Sequence, residues 1–509
     1  MSLPASLTFD FDEFLRWLPY LVGVLNALVT MAALGWVLMT KPEATSAVAW
    51  GLIIFFLPFL GASLFYFFGY QHIDRPRQRK RRHKLGYTLL NPRRAATESG
   101  HAFTPPSGAA PQHDETWKQS LSTRMAWLAD RFGALPLSRG NHVDFYHDGP
   151  PAYEAMLAAI RSAKHHVHLQ TFIFEPDDAG AEFLDALARK AREGVKVRLM
   201  YDAMGSHRLH RRSLLDFLTA GGLSSPFLPL NPFRRRLQIN MRNHRKILVV
   251  DGDVGFVGGL NVGDEYLGKV ERFGYWRDTH LRLRGPVVAD LQRIFAEDWN
   301  FASGERLEDP ADSDSGRAYF HPQTVGGPYH LQLIDSGPDR ELKGIREIYF
   351  AAILNARRRV WIASAYFVPD AGLRDALRLA GYLGVDVRLL GQFRPDKSIP
   401  QYAAQYYWAE MLDAGVKVYQ YTRGMMHSKV FLVDDDWASV GTANLDNRSL
   451  HLNFEVNCLM YSREAVKVLE EAFERDLTTA IRLDRSVYAR RPFACRLLEN
   501  ACRLFSPVL

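Results

Sequence analysis

The residues best suited to chemistry come as two matching sets. The first is Asn243, His244, Arg245 and Lys246, then four apolar residues and Asp251, then Gly258, Gly259, Leu260 and Asn261. The second is Met426, His427, Ser428 and Lys429, four apolar residues and Asp434, then Gly441, Thr442, Ala443 and Asn444. Both fit H-x-K-x4-D-x6-G-[GT]-x-N. A lone histidine is usually structural, but two copies of so long a pattern are not a coincidence. In an extended strand, residues two apart share a face, so each His and Lys point the same way. The aspartates fall on the opposite parity and are expected to point away, although they complete each candidate catalytic set. A second strand, at 255–258 and 438–441, then delivers an asparagine. Two imidazoles, two ammoniums and two amides brought together suit phosphodiester transfer. Lys246, Lys429, Asn261 and Asn444 would hold the phosphoryl oxygens as charge develops. One histidine would attack phosphorus, and the other would move a proton to and from the alcohols. No cluster has metal-ligand spacing, so neither a metal nor a cofactor is expected.

The elements around these sets repeat as well. In the first half, a helix pattern at 152–163 precedes an apolar strand at 167–174, and a second helix at 181–193 leads through Gly194 into a strand at 195–201. The second half runs helix 345–356, strand 360–368, helix 373–383, Gly384 and strand 385–390. Alternating apolar strands and amphipathic helices predict an α/β fold with parallel sheets. The recurrence after about 190 residues reads as an internal duplication rather than a short-period solenoid. Two halves, at 135–320 and 321–509, would pack face to face as a pseudo-dimer with the motif residues between them.

The N-terminal part differs in kind. Residues 17–39 and 47–70 contain no charged side chain, and about 20 apolar residues suffice to cross a bilayer as a helix. With 40–46 between them, they predict a transmembrane helical hairpin within 1–74. Asp10, Asp12 and Glu13 precede the first run, which is the wrong flank for a signal peptide. Arg75, Arg77, Arg79, Lys80, Arg81, Arg82 and Lys84 follow the second run. Such a cluster marks the cytoplasmic side and attracts anionic lipid headgroups. Residues 75–134 read as a basic, polar linker. The net charge of +7 is modest beside its local concentration. Three cysteines, Cys458, Cys495 and Cys502, are too few and too irregular for a disulfide framework, which fits a reducing compartment.

At this point the sequence resembles the phospholipase D superfamily, whose mark is a paired HKD motif, over residues 140–509. It is more closely similar to bacterial cardiolipin synthases, and that likeness extends to the membrane hairpin. The segments that carry it are NHRKILVVD at 243–251, GGLNVGDEY at 258–266, YWRDTH at 275–280, YFVPD at 366–370 and GTANLDNRSLHLNFEVN at 441–457. The resemblance implies that His244, Lys246, Asn261, His427, Lys429 and Asn444 form the active site, with His244 as nucleophile and His427 as acid and base. It implies that Asp278 and Glu455 orient the imidazoles, each following the histidine of its own half by 34 and 28 residues. It further implies a multi-pass protein of the bacterial inner membrane with cytoplasmic catalytic halves. The substrates implied are phosphatidylglycerol and anionic membrane lipid, with no nucleic acid. One position departs from the pattern. Gln170 stands where many such enzymes carry an acidic residue, which bears on acceptor choice.

Three other functions share parts of this signature: a phospholipase D hydrolase or a transferase to another alcohol, an HKD nuclease, and a membrane scaffold without activity. The hairpin argues against the nuclease, and two intact motif sets argue against the scaffold. Finally, residues 492–505 place Phe493, Leu497, Leu498, Ala501, Leu504 and Phe505 at helical spacing, with arginines beside them. This predicts a C-terminal amphipathic helix, either packed on the second half's own core or lying at a lipid interface.

Overall fold

The structure, a computed structural model, describes residues 11–41, 44–69, 120–229, 240–307, 319–320, 326–340 and 342–509. The basic cluster at 75–84 lies outside the described residues. The chain divides into two compact units, an N-terminal one and a catalytic one.

In the N-terminal unit, one helix runs Phe11–Thr40. Its stretch Arg16–Thr40 is long and apolar enough to cross a membrane. The second apolar run is not one helix. It forms Ala44–Phe56, Pro58–Leu64 and a π-helical turn Phe65–Gly69. The break falls at Leu57, before Pro58, because the proline ring disfavours a helical residue ahead of it and lacks an amide proton. Ala33 and Val37 of the first helix still pack against Ile54 and Phe65 of the return segment. Trp36 meets Phe65 edge-on at 5.5 Å.

The catalytic unit holds two halves that share a seven-strand order, to which the second adds four short strands. The first has β1 (Ser138–Asp148), β2 (His166–Thr171), β3 (Lys196–Asp202), β4 (Leu223–Phe227), β5 (Ile247–Val250), β6 (Val254–Gly258) and β7 (Tyr275–Arg284). The second has β8 (Tyr329–Ser336), β9 (Arg359–Ser364), β10 (Phe367–Val368), β11 (Asp386–Gln392), β12 (Lys417–Tyr421), β13 (Gly424–Met426), β14 (Lys429–Val433), β15 (Trp437–Gly441), β16 (Leu445–Asp446), β17 (Glu455–Met460) and β18 (Ala480–Arg482). From one edge the first half reads β4-β3-β2-β5-β6-β7-β1, and from the other, inside the added edge strand β18, the second reads β12-β11-β9-β14-β15-β17-β8. The two orders are the same, and β1 pairs antiparallel with β8 at Ser138↔Leu331, so the halves share one 16-stranded sheet.

The sheet is mixed rather than parallel. Its parallel pairs are β2-β3-β4 and β9-β11-β12, the strands joined through helices, and the short pair β13-β7. The strands carrying the motifs return antiparallel, since Asp251–Asp253 and Asp434–Asp436 are turns too short for a crossover.

Helix Asp178–Arg192 shows why the periodicity was legible. Its apolar residues Ala179, Phe183, Leu187 and Ala191 are buried at every fourth position, and Asp177 caps it by accepting from the Gly180 amide at 3.0 Å. Helix Leu121–Arg131 corrects the linker assignment. It buries Leu121, Met125 and Ala129 in the core of the second half with Ile334, Ile345 and Ile348.

Candidate active site

Each motif histidine lies just ahead of a short apolar strand: His244 before β5, and His427 between β13 and β14. What places them is pairing across the halves. β13 runs parallel to β7 with Met426 opposite Arg277, and the His427 amide donates to the Arg277 carbonyl at 2.7 Å. The next residue on β7 is Asp278. On the other side, Asn243 bridges in parallel to Phe454, and the His244 amide donates to the Phe454 carbonyl at 2.9 Å. The next residue there is Glu455.

The carboxylates therefore do meet the imidazoles, but crosswise. His427 Nδ1 lies 2.7 Å from Asp278 Oδ2, and His244 Nδ1 lies 3.0 Å from Glu455 Oε2. The expectation that each acid serves the histidine of its own half is corrected. Sequence interval could not reveal this, because the register that sets it is between halves. The consequence is chemical. With Nδ1–H given to a carboxylate, each ring keeps Nε2 for the reaction.

Thr442 was missed by the sequence reading, although it occupies the variable Gly/Thr position of the motif. Its hydroxyl donates to Glu455 Oε2 at 2.5 Å. The matching residue in the first half is Gly259, where a Cβ would stand 2.0 Å from Asp278 Oδ1. The two halves thus solve one problem differently: a hydroxyl fixes Glu455, and an empty volume admits Asp278. Tyr266 was missed as well. It accepts from Asn261 Nδ2 at 2.8 Å, and Asn261 Oδ1 accepts from the Ile173 amide at 3.1 Å. No repeat signals it, because Ser449 takes its place in the second half and accepts from the Asn444 amide at 3.2 Å. Asn444 Oδ1 is buried without a hydrogen-bond partner.

Lys246 Nζ donates to the His244 carbonyl at 2.6 Å, and Lys429 Nζ stands 2.9 Å from His427 Nδ1. Burial drives both ammoniums below their ordinary pKa; Lys429 depresses Lys246 further, whereas Asp278 and Glu455 pull Lys429 back up. Burial, then the two lysines, holds His244 well below the usual imidazole range. Burial and Lys429 lower His427 to about 4, against the pull of Asp278. Asp278 stays low despite its burial because Lys429 and His427 stabilise its charge, whereas burial raises Glu455 to about 7. This is a buried site with an excess of positive charge, which an anion would relieve.

Asp251 and Asp434 lie outside it. Asp251 accepts from the amides of Lys164, His165 and His166 at 2.8–2.9 Å. Asp434 does the same for Arg357, Arg358 and Arg359 at 2.8–3.2 Å. Each pins the start of the neighbouring strand, from a left-handed backbone at φ 55 and φ 50. They are placed as structural residues rather than members of the catalytic set. Alanine at either should cost about 0.5–1.5 kcal/mol, the net worth of hydrogen bonds from exposed and part-buried amides. The folded enzyme should keep its kcat; thermal melting beside steady-state rates checks this, and a kcat loss without a melting shift would return them to the site.

Gln170 is buried beneath the first motif. Its amide donates to Asn243 Oδ1 at 2.9 Å and Asp298 Oδ2 at 2.8 Å. Asp298 also accepts from Arg245 Nη1 at 2.7 Å, and Arg245 Nη2 reaches Asp335 of the second half at 2.9 Å. Gln170 therefore belongs to a polar network joining the halves. Among the described residues no group of His, Cys, Asp and Glu is arranged to hold a metal ion.

Comparison with known proteins places this architecture. The family described as "Cardiolipin synthase, PLD-like domain" matches residues 156–299 and 349–477, one stretch in each half. "Phospholipase_D-nuclease N-terminal" matches 28–69. A cardiolipin synthase of Geobacillus thermodenitrificans is 39% identical over 99% of this chain and 96% of its own length. One from Staphylococcus aureus is 37% identical over 93% of each. Among solved structures, a phosphatidylserine synthase of Haemophilus influenzae covers 76% of this chain and 100% of its own at TM-score 0.58, with 16% identity, a likeness of fold. With relatives aligned nearly end to end and the family's two matches falling on the two halves that meet at this site, the chain belongs to the cardiolipin synthase family of phospholipase D-like enzymes.

Proposed function

We propose that the protein is a phosphatidyltransferase that joins two phosphatidylglycerol molecules into cardiolipin and releases glycerol. The observation that carries the chemistry is the pair of imidazoles, each with Nδ1 held by a buried carboxylate beside a buried lysine. The choice of lipid follows the relatives' names.

In the first step His244 Nε2 attacks phosphorus, a P–N bond forms and the P–O bond to glycerol breaks. His427 Nε2–H gives its proton to the departing oxygen. In the second step His427 takes the proton of the acceptor hydroxyl, whose oxygen attacks phosphorus. The P–N bond breaks and His244 is restored. Depressed basicity leaves the His244 lone pair free at neutral pH. Asp278, kept ionised, supports the imidazolium that His427 becomes. The phosphodiester anion offsets Lys246 and Lys429, which lets His427 hold its proton once substrate is bound. Asn444 Oδ1, buried and without a partner, is an acceptor that a hydroxyl donor such as the acceptor alcohol would satisfy.

The catalytic unit would sit on the cytoplasmic face of a bacterial inner membrane, anchored by the N-terminal helices in more than one pass. Expression in cells that lack cardiolipin should restore it, read by lipid extraction and mass spectrometry. Accumulation of phosphatidic acid alone would make the enzyme a hydrolase, and an unchanged lipid profile would remove the reading.

A further inference from the structure

The last segment of the chain is amphipathic the wrong way round for a soluble protein. Helix Phe493–Arg503 docks on helix Ser398–Asp413, yet it does so through Glu499 and Cys502. Phe493, Leu497, Leu498 and Leu504 are 71%, 58%, 43% and 74% exposed, and Phe505 is 54% exposed. A surface helix ordinarily turns its apolar stripe to the core. Here the stripe is turned out and the polar edge is turned in: Glu499 pairs with Arg491 of the same segment, and Arg503 stacks on Tyr406 of the docking helix at 4.4 Å. Among the described residues, 481–509 carry eight of the seventeen exposed large apolar side chains of the catalytic unit. The same stretch holds Arg482, Arg485, Arg490, Arg491, Arg496 and Arg503 against only Asp484 and Glu499.

This surface is built onto the active site. The Leu509 carbonyl accepts from the Arg448 amide at 2.7 Å, and the Ser506 carbonyl accepts from Asn447 Nδ2 at 3.0 Å. Asn447 and Arg448 lie just past β16, the short strand that follows Asn444, where a π-helical turn begins. Arg448 Nη2 also donates to the Asn240 carbonyl at 3.2 Å, four residues before His244. The docking helix Ser398–Asp413 follows Lys397, whose charge helps to depress His244. The exposed apolar face is therefore rigidly connected to both motif sets.

We propose that the C-terminal segment 481–509 is a membrane-docking surface, which inserts its apolar face into the acyl boundary of an anionic leaflet and thereby seats the catalytic cleft against lipid headgroups. The inference rests on the reading of the substrate as a bilayer lipid. A lipid surface fits better than a protein partner on two grounds. The exposed side chains are flanked by an excess of arginine, the pattern of helices that lie in a charged interface. A substrate with two acyl chains also does not leave the bilayer, so the loop carrying Asn444 has to be brought to it.

The test uses full-length protein in proteoliposomes containing phosphatidylglycerol. Because Cys495 is the exposed cysteine and Cys458 is buried with its thiol raised to about 12, Leu497→Cys in a Cys495→Ser background can carry an environment-sensitive fluorophore. Quenching by acyl-chain nitroxides is expected; a label that stays water-exposed overturns the proposal. In parallel, Phe493→Glu with Leu497→Glu and Leu504→Glu should lower the rate on vesicle lipid by about tenfold or more, with an unchanged rate on a short-chain soluble analogue. Thermal melting checks the fold, and all three side chains are more than half exposed. Equal loss on both substrates, or no loss on either, overturns the proposal. So does a change of oligomeric state without loss of quenching, which assigns the face to a second copy. If the wild type makes no cardiolipin but the label is still quenched, the reading of function fails and the docking surface stands.

Discussion

Alanine at His244 and alanine at His427 are both expected to abolish transfer between lipids, but a substrate with a good leaving group should tell them apart. The proposed roles make the reason explicit. His244 forms the bond to phosphorus, so without it no covalent adduct is possible, and a loss of about 10⁶-fold is the scale for a missing nucleophile. His427 supplies a proton to glycerol oxygen, whose alkoxide is a very poor leaving group. Removing that proton costs about 10²–10⁴-fold in the first step. A phosphatidyl ester of p-nitrophenol leaves as a stable phenolate and needs no proton. The His427→Ala enzyme should then give a burst of one p-nitrophenolate per site and stall as the adduct on His244, because deprotonation of the acceptor is still missing. The His244→Ala enzyme should give no burst. The stalled adduct is acid-labile and base-stable, and mass spectrometry of peptides locates it. A burst from His244→Ala, with the adduct on His427, would exchange the two roles.

The parts of this molecule that were legible in the sequence are those written within one half. Helix Asp178–Arg192 declares itself through local periodicity, because it buries a single face, and strand β3 through a short, almost continuously buried apolar run. The duplicated order was legible because each half repeats the same alternation. The motif itself was legible because His, Lys and Asn must keep their spacing to share a face. What depends on a second partner was not. The crossed carboxylates follow from β13 lying on β7 and Asn243 beside Phe454, contacts between segments about 150–210 residues apart. Helix Leu121–Arg131 looked like linker because its buried stripe is only Leu121, Met125 and Ala129, and only the core of the second half completes it. The parallel sheet was misread because buried antiparallel strands such as β5 and β14 are as uniformly apolar as parallel ones. Pro58 was a local signal that hydropathy alone passes over, since a proline counts little against so many aliphatic neighbours.

The crossed pairing makes its own prediction, and the same p-nitrophenyl substrate reads it. Asp278 accepts from His427, so Asp278→Asn should reproduce the His427 defect in milder form. An amide cannot hold the imidazole in the same tautomer or support its charge, and at a triad aspartate that change costs about 10⁴-fold. Lipid-to-lipid transfer should fall by about 10²–10⁴-fold, while the burst and the adduct on His244 survive. Glu455→Gln should behave oppositely. It faces His244, and its neutral amide leaves the Nδ1–H without a carboxylate just where the attacking Nε2 needs electron density. Its burst should slow in proportion to its transfer rate. Glu455 also has the higher pKa, about 7, because of its burial, so part of its carboxylate is already protonated near neutrality. The Glu455→Gln defect should therefore be smaller than that of Asp278→Asn and should shrink further as pH falls below 7, where the wild-type carboxyl is itself neutral. Asp278, held low by Lys429 and His427, gives its variant no such convergence over the same range. If the burst is instead lost in Asp278→Asn and kept in Glu455→Gln, each acid works with the histidine of its own half, and the geometry of the resting site is not that of the reaction.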